Sequence, residues 1–600
     1  MQFPEDDLHG SCHSLYEQQL QTPILRHPSI SQDQQAVVRL QQTSKQLQVA
    51  MAWLLRGQLP VALHTSQLQQ VKLLAQWLRK HAGLVKSLDV CYMGPGSDYE
   101  THPNPAAAVA RVLESAMAAA ATAAAPGSLQ LQSLSIDVAV EPTLLQHLPA
   151  ARLTQLDITT SLCREADVAA ISRLTSLQEL RLTSIGLVLE RLDMMQQLAA
   201  GLQQLTQLYI GPLQPGQLQH LPPKLQQLHA VVSIEWRNTA QIAALCRQEL
   251  TALHSLYIQA PSSDASWQED TVLAPLSVLQ QLTRLKLDVV RRAQLQQLQL
   301  PQLQILEVWC SHTEESQLLR TGHLTALQKL SLQSYSRASR QEDQLPPNLQ
   351  ELRYKLITQQ GDAEQGGRLL PLLGLSRLKK LQLEFGGAPT VTAEELKQLS
   401  RLSCLQELGL SYWGCTMADA AATTAALQAL PLKSLQLVSD EVPGLVLGQL
   451  GQLQSLTRLE VQAARYAPSG INATPDMLAG VLQQLTSLRC LTVEGYDSMA
   501  ADGSGLVYAR DSLVEGVWQS VDGVRALLHA VGGLSRLEQV NVVLPVSLQE
   551  SVVQQLEVLL LQQLLLPGKL ARGCQVQTDR VAIKLRSVSG RQPFWGDIAW

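Results

Sequence analysis

A six-residue frame, L-x-x-L-x-L, recurs through most of this chain and leaves few architectures open to it. It reads clearly in Leu177-Gln-Glu-Leu-Arg-Leu182 and returns as Leu327-Gln-Lys-Leu-Ser-Leu332, Leu378-Lys-Lys-Leu-Gln-Leu383 and Leu405-Gln-Glu-Leu-Gly-Leu410. In each copy the last two leucines flank one other residue, the period-2 mark of a short half-buried strand. The second leucine of the frame falls at Leu88, Leu134, Leu156, Leu180, Leu208, Leu228, Leu256, Leu285, Leu306, Leu330, Leu352, Leu381, Leu408, Leu435, Leu459 and Leu491, with a weaker copy at Val540. Recurrence at about 20–29 residues marks a solenoid rather than a closed globule. A lone repeat of about 25 residues loses roughly 1–2 kcal/mol of backbone entropy per residue on ordering. Its handful of aliphatic side chains returns only about 1.5–3 kcal/mol each. Repeats must therefore stack to be stable.

These residues resemble the leucine-rich-repeat family, whose pattern is L-x-x-L-x-L-x-x-N/C-x-L. The resemblance implies an α/β fold: a leucine-rich-repeat solenoid, a curved horseshoe with parallel strands on its concave face and helices and irregular returns on its convex face. One departure stands out. Three residues after the frame, where the family places Asn or Cys, this chain has Ser161, Ile185, Leu213, Val290, Ser311, Tyr335, Gly386 and Trp413. With no Asn ladder, the turn backbone must find other partners, water or neighbouring main chain, and the solenoid is expected to be irregular.

Composition agrees with a stacked aliphatic core. Hydrophobic residues make up 46% of the chain and aromatics only 4%, so leucine rather than aromatic packing must fill the interior. Net charge is −5 with both signs interspersed, and no sustained basic run points to nucleic acid. The nine cysteines form no C-x-x-C pair, which suits a reducing compartment. No apolar stretch of about 18–20 residues would span a membrane, and the acidic opening Met1–Gly10 is unlike a signal peptide. The expected location is cytoplasmic, cytoskeletal or axonemal included and the nucleus left open, and the expected state is monomeric.

Four regions follow in order. Residues 1–57 lie outside the repeat pattern. Ile24-Leu-Arg-His-Pro-Ser-Ile30, Asp33-Gln-Gln-Ala-Val-Val-Arg-Leu40 and Thr43-Ser-Lys-Gln-Leu47 resemble the second half of an F-box, although the opening Leu-Pro and the Trp of that family are missing. The resemblance implies that Ile24, Leu25, Asp33, Val37, Leu40 and Leu47 would meet a Skp-type adaptor. The other reading is a helical N-terminal cap, since Ala36, Val37, Leu40 and Leu47 suit one helix face and solenoid ends need covering. Residues 58–127 form an entry region: Ala62–Val90 reads as a helix leading into a first strand, and Ala106–Ala125 as an Ala-rich helix stopped by Pro126-Gly127. Its W-L-x-x-H…L-x-x-L-x-V run resembles leucine-rich proteins common in green algae. Residues 128–545 carry the repeats, with helical returns at Glu165–Arg173, Leu187–Leu198 and Val514–Val531. Leu221-Pro-Pro-Lys-Leu225 and Leu345-Pro-Pro-Asn-Leu349 lead directly into the next frame, where Pro disfavours a full helix. Residues 546–600 form a C-terminal cap, with a helix over Leu548–Leu566 and short strands over Cys574–Val588.

No residue pattern supports catalysis, and no cofactor or metal site is expected: the His9-Gly-Ser-Cys-His13 group has no second ligand pair at zinc spacing. Function must then lie in the face that the strands present. Residues flanking the inward leucines point away from the core, giving among others Tyr209, His229, Tyr257, Lys286, Trp309, Arg353 and Lys355. Tyr, Trp and Arg are the residues that most often anchor interfaces. Tyr209, Tyr257, Lys286, Trp309, Arg353 and Lys355 are thus the candidate protein-binding positions on the concave face, suited to an acidic, partly apolar partner surface. Two functions fit: a non-enzymatic interaction scaffold, with the substrate-recognition subunit of an SCF-type ubiquitin ligase as its specific form, or a structural component of a cytoskeletal or axonemal assembly.

Overall fold

In the computed structural model the leucine frames become strands in parallel register. The structure describes residues 58–92, 105–123, 129–160, 165–184, 192–213, 217, 220–232, 250, 252–259, 273–310, 319–334, 344–357, 370–386, 397–413, 425–439, 450–463, 475–494, 521–534, 536, 539–546 and 581–587, with 141 and 291 left out. The adaptor positions Ile24, Leu25, Asp33, Val37, Leu40 and Leu47 lie outside the described residues, as does the helix expected over Leu548–Leu566. The chain divides into two units, Met1–Asp264 and Ala265–Trp600.

The first unit carries β1 (Leu59–Thr65), β2 (Val85–Tyr92), β3 (Ser133–Ala139), β4 (Gln155–Thr160), β5 (Glu179–Ser184), β6 (Gln207–Leu213), β7 (Gln227–Val232) and β8 (Ser255–Gln259). Each pairs in parallel with the next in sequence. Frame leucines face one another across the ladder: Leu88, Leu134, Leu156, Leu180, Leu208, Leu228 and Leu256 occupy one continuous row. Helices supply most returns: α1 (Leu68–His81), α2 (Pro105–Ala123), α3 (Pro142–Gln146), α4 (Glu165–Ser172) and α5 (Leu192–Gly201).

The second unit carries β9 (Arg284–Val290), β10 (Ile305–Cys310), β11 (Lys329–Ser334), β12 (Glu351–Ile357), β13 (Lys380–Gly386), β14 (Glu407–Trp413), β15 (Ser434–Ser439), β16 (Arg458–Ala463), β17 (Cys490–Glu494), β18 (Gln539–Val546) and β19 (Val581–Ser587). Here too consecutive strands pair in parallel, and the row runs from Leu285 through Leu330 and Leu408 to Leu491, Val540 and Val581. In the described parts of the returns, 3-10 turns occur at Ala274–Val278, Arg292–Gln297, Leu370–Gly374, Leu399–Arg401 and Leu450–Gln452. The described α-helices here include α6 (Pro475–Gln484) and α7 (Val521–Gly533), and residues 425–428 are helical as well. Both units are built as an open leucine-rich-repeat solenoid.

Leucine fills the interior as the frame requires. All sixteen second leucines are at most 3% exposed. A leucine three places before many frames closes a turn with the frame's first leucine: the Leu177 amide donates to the Leu174 carbonyl at 2.9 Å, and Leu327 does the same to Leu324 at 3.0 Å. Thus Leu174, Leu177, Leu180 and Leu182 all point inward and are 0–1% exposed. Tyr354 replaces the last leucine of its frame and is buried there.

A main-chain ladder links successive repeats at the strand entries. The Thr154 carbonyl accepts the amides of Gln178 (2.8 Å) and Glu179 (3.0 Å); Gln178 in turn accepts those of Thr206 and Gln207. The second unit repeats the device: Gln328 accepts from Gln350 and Glu351, and Lys433 from Thr457 and Arg458. Each such carbonyl satisfies two donors of the following repeat that would otherwise be orphaned. Threonine adds a side-chain bond at the same place, as in Thr206 Oγ1 to the Gln178 carbonyl at 3.1 Å.

Two elements depart from the sequence reading. Residues 62–65 belong to β1, not to a helix, and Val61 pairs with Leu88 one place ahead of the first leucine frame. Leu59, Val61 and Thr65 turn inward while Pro60 and Ala62 are exposed. Without the frame leucines that alternation is easily missed, and proline is tolerated at a strand's start. At the other end a strand does form within the Cys574–Val588 stretch read as short strands, but this strand, β19, extends the parallel ladder beyond β18.

Candidate functional site

The side chains between the two inward leucines of each frame form a row on the opposite face of the sheet. In the first unit, from β2 to β8, the row reads Asp89, Ser135, Asp157, Arg181, Tyr209, His229 and Tyr257. Strands in a sheet lie about 4.8 Å apart, so neighbours in the row can touch. Three rings do. Tyr209 meets the edge of His229 with centroids 3.6 Å apart and planes at 83°. His229 stacks on Tyr257 at 3.8 Å and 18°. Two of the six candidate positions, Tyr209 and Tyr257, are thereby joined through a third aromatic ring. Such contacts hold rings rigid and add roughly 0.5–1.5 kcal/mol per aromatic pair.

On the other side of Arg181 the row is acidic. Asp89 and Asp157 share it, Asp137 lies beside it in β3, and Glu179 lies beside it in β5. Burial raises the Asp157 carboxyl above its ordinary value, and the charges of Glu179, Asp137 and Asp89 raise it further, against the opposing pull of Arg181. The Arg181 Nε atom lies 2.8 Å from Glu179 Oε1, and His64 Nε2 lies 3.4 Å from Asp89 Oδ2. Asp137 accepts from Cys91 Sγ at 3.6 Å and from Thr159 Oγ1 at 3.4 Å. Burial also raises the Cys91 thiol, with the Asp137 charge behind it, and the Tyr209 phenol, with Arg181 opposing.

Within the second unit the equivalent row begins Lys286, Glu307, Ser331, Arg353, Gln382, Gly409, Gln436 and Glu460. Across this face, in this row and the outward rows on either side of it, charges are paired between strands. Arg284 lies 3.1 Å from Glu307, Lys329 3.5 Å from Glu351, and Lys380 3.2 Å from Glu407. Arg353 Nε donates to Glu384 Oε1 at 2.6 Å. Lys286 pairs in register with Glu307. Trp309 stands in the next outward row, opposite Gln333, and is 36% exposed. Lys355 sits in β12 between Gln333 and Glu384; its side chain is outside those described.

Beyond these ion pairs, amides bridge the sheet. Gln382 Nε2 donates to Gln436 Oε1 at 3.3 Å, although β14 runs between them, and Gln436 Nε2 donates to Glu460 Oε1 at 3.1 Å. Gly409 makes the first bridge possible. A Cβ there would lie 3.1 Å from Gln382 Cγ and 3.3 Å from Gln436 Oε1.

His229 and the carboxylates Asp89, Asp137, Asp157 and Glu179 complete a site of which the candidate list held only the tyrosines. Their signal was in the frame itself, since Asp89, Asp157 and Arg181 occupy the position between the inward leucines just as Tyr209 does. Among the described residues no group of three or more His, Cys, Asp or Glu side chains is placed to hold a metal ion. Among them, too, no helix is long and apolar enough to cross a membrane.

No family model matches the chain, and no curated protein matches it. Among solved structures it is similar to an internalin (inlF) of Listeria monocytogenes, at 18% identity over 65% of this chain and 98% of that one, with a TM-score of 0.33. An LRR protein of Leptospira interrogans is 19% identical over 72% of this chain and 94% of its own, with a TM-score of 0.29. TLR13, in its complex with ssRNA13, is 15% identical over 78% of this chain and 59% of its own, with a TM-score of 0.33. It is the leucine layer and the parallel ladders that make this fold a leucine-rich-repeat solenoid.

Proposed function

We infer that this protein is a non-enzymatic interaction scaffold that holds a protein partner on the concave, outward face of its strands. The observation that carries this reading is the Tyr209–His229–Tyr257 stack. A preordered aromatic platform on a sheet face adds nothing to the leucine core, and it is the kind of rigid surface on which interfaces anchor. Trp309, Arg353, Lys286 and Lys355 are further contact positions under the same reading.

The test compares faces. A photoreactive residue replacing Tyr257 should cross-link a discrete partner, and one replacing the exposed Glu165 of α4 should not. In the double variant Tyr257→Ala, Trp309→Ala the thermal midpoint should stay close to wild type, while affinity for that partner falls by about 2 kcal/mol or more. Unfolding of the variant would make these rings core. Full retention of partner binding by a folded variant would move the interface to another face.

Its specific form is the substrate-recognition subunit of an SCF-type ubiquitin ligase, with Ile24, Leu25, Asp33, Val37, Leu40 and Leu47 docking a Skp-type adaptor. The F-box-like pattern of these residues supports it. A cytoskeletal or axonemal role for the same scaffold is the alternative, and a cytoplasmic setting suits either. Purified full-length chain should retain the adaptor, and Leu25→Asp with Leu40→Asp should abolish retention. Absence of binding by the wild-type chain, with residues 20–55 shown to be folded, removes the ligase reading.

A further inference from the structure

The charge next to the aromatic platform decides what kind of segment the first unit can hold. Asp89, Asp137, Asp157 and Glu179 crowd one half of the face, and the cations described among them are Arg181 and, on protonation, His64. Crowding is costly here: Asp157 is half-buried, and three neighbouring carboxylates work against its ionisation. A set of like charges held together by the backbone ladder is relieved by an arriving cation and strained by an arriving anion. Arg181 already displays the preferred chemistry. Its guanidinium bonds Glu179 and lies between Asp157 and Tyr209 in the row, where the electrostatics of both neighbours register it.

We propose that the outward face of β2–β8 is the docking surface for a basic protein segment, its lysines or arginines over Asp89, Asp137 and Asp157 and a further cationic or aromatic side chain against the Tyr209–His229–Tyr257 stack. The proposal rests on the scaffold reading above and narrows its partner. Ring faces attract cations as carboxylates do, so the two halves of the row select the same chemistry. From Asp89 to Tyr257 the row crosses six strand spacings, about 29 Å at about 4.8 Å each, a span suited to a segment rather than to a single residue. The acidic half repels phosphates, which disfavours nucleic acid on this face. This reverses the acidic partner expected from the cations of the candidate strip: Arg353 is bonded to Glu384 and Lys286 faces Glu307, so neither stands as an isolated positive charge.

The experiment titrates full-length protein into two labelled peptides, one alternating Arg with Tyr and the other identical except for Glu in place of Arg. The Arg peptide should bind and the Glu peptide should not, with affinity falling steeply as salt rises. Asp137→Asn with Asp157→Asn, uncharged replacements of the same shape, should weaken binding about tenfold or more and flatten the salt dependence. Tyr257→Ala should weaken it by a similar factor, and Glu351→Gln in the second unit should leave it unchanged. Thermal unfolding of each variant separates loss of binding from loss of fold. Equal binding of the two peptides, undiminished affinity in the Asn pair, or retention of single-stranded RNA by this face would overturn the proposal. Loss of the cross-linked partner in the Tyr257 variant but not in the Asn pair would reject the basic segment and leave the scaffold reading standing.

Discussion

The two units use one leucine frame and reach opposite solutions on their outward faces. In the second, cations and carboxylates alternate between neighbouring strands, so Arg284–Glu307, Lys329–Glu351, Arg353–Glu384 and Lys380–Glu407 neutralise one another within the sheet. In the first, carboxylates are neighbours of carboxylates, and rings are stacked on rings. Exposed ion pairs are worth only about 0–1 kcal/mol each, so the zipped face gains modest stability and little affinity for a charged partner. On the crowded face burial and neighbouring carboxylates work against the ionisation of Asp157, which costs stability. Among the described residues their returns differ as well, α-helices accounting for most of those in the first unit and a mixture of 3-10 turns and α-helices for those in the second. The lesson is that the inward half of each frame sets the fold, whereas the outward residues are free to differ, crowding charge and stacking rings on one stretch and pairing charges on another.

Core truncation should expose the contrast most strongly. Leu180→Ala and Leu330→Ala each remove a fully buried side chain, at a cost of about 2–5 kcal/mol. In the second unit, hydrogen exchange should rise first in β10 and β12, which flank Leu330 in register. In the first, it should rise in α4 and α5 together with β4 and β6, because helices share that layer. Unchanged protection around Leu330 would mean that the register is wrong.

Glycines sharpen the difference between the returns. A Cβ on Gly201, at the end of α5, would collide with the Ser172 carbonyl of α4, while one on Gly480 of α6 would meet nothing within 4 Å. Gly201→Ala should therefore destabilise by about 1–3 kcal/mol, and Gly480→Ala should stabilise by about 0.5–1 kcal/mol through helix propensity. Chemical denaturation of the two variants gives the signs, and the same sign for both would contradict the packing of α4 on α5. On the zipped face, Gly409→Ala should cost about 0.5–1.5 kcal/mol by breaking the Gln382–Gln436 bridge. Gln382→Ala made in that background should then cost less than it does in the wild type.

The smallest effect concerns pH. Burial and like charges raise the folded-state value of Asp157 above its unfolded one, so the native chain holds this proton more tightly than the unfolded chain does. Its contribution favours folding below the folded value and is lost as pH rises through it. Asp157→Asn should thus raise the thermal midpoint slightly near neutral pH, and the gain should shrink as the medium becomes acidic. A lower midpoint at neutral pH would show that Arg181 outweighs the other influences.

Much of this was legible in the residues because periodicity reports directly on which side chains face inward. Every second leucine of the frame, from Leu88 to Leu491, lies in a register row and is buried. Leu221-Pro-Pro-Lys-Leu225 forms the short turn that its prolines dictate, the Leu225 amide reaching the Pro222 carbonyl at 3.2 Å. The Ala-rich stretch is helical over Pro105–Ala123. What the residues did not reveal depends on partners in other repeats. Leu59–Thr65 declares itself a strand only by pairing with Val85–Tyr92. The stack through His229 and the crowding around Asp157 arise between residues twenty or more positions apart, and only strand register brings them together. Lys286 and Arg353 read as cations in isolation but stand opposite acids from the adjoining repeat.

The carbonyl that receives two amides from the following repeat gives the chain a direction of assembly. Most of the described strand entries donate to the repeat before them, as Gln178 and Glu179 do to Thr154. A ribosome releases repeats in that same order. Such an entry therefore emerges to find its acceptor already in place, whereas growth from the opposite end would leave two bare amides at each advancing edge. Vectorial synthesis and the polarity of the ladder then act together. Nascent chains stalled at successive repeat boundaries should gain protease protection one repeat at a time from the N-terminal side, and protection that appears only after release of the complete chain would disprove it.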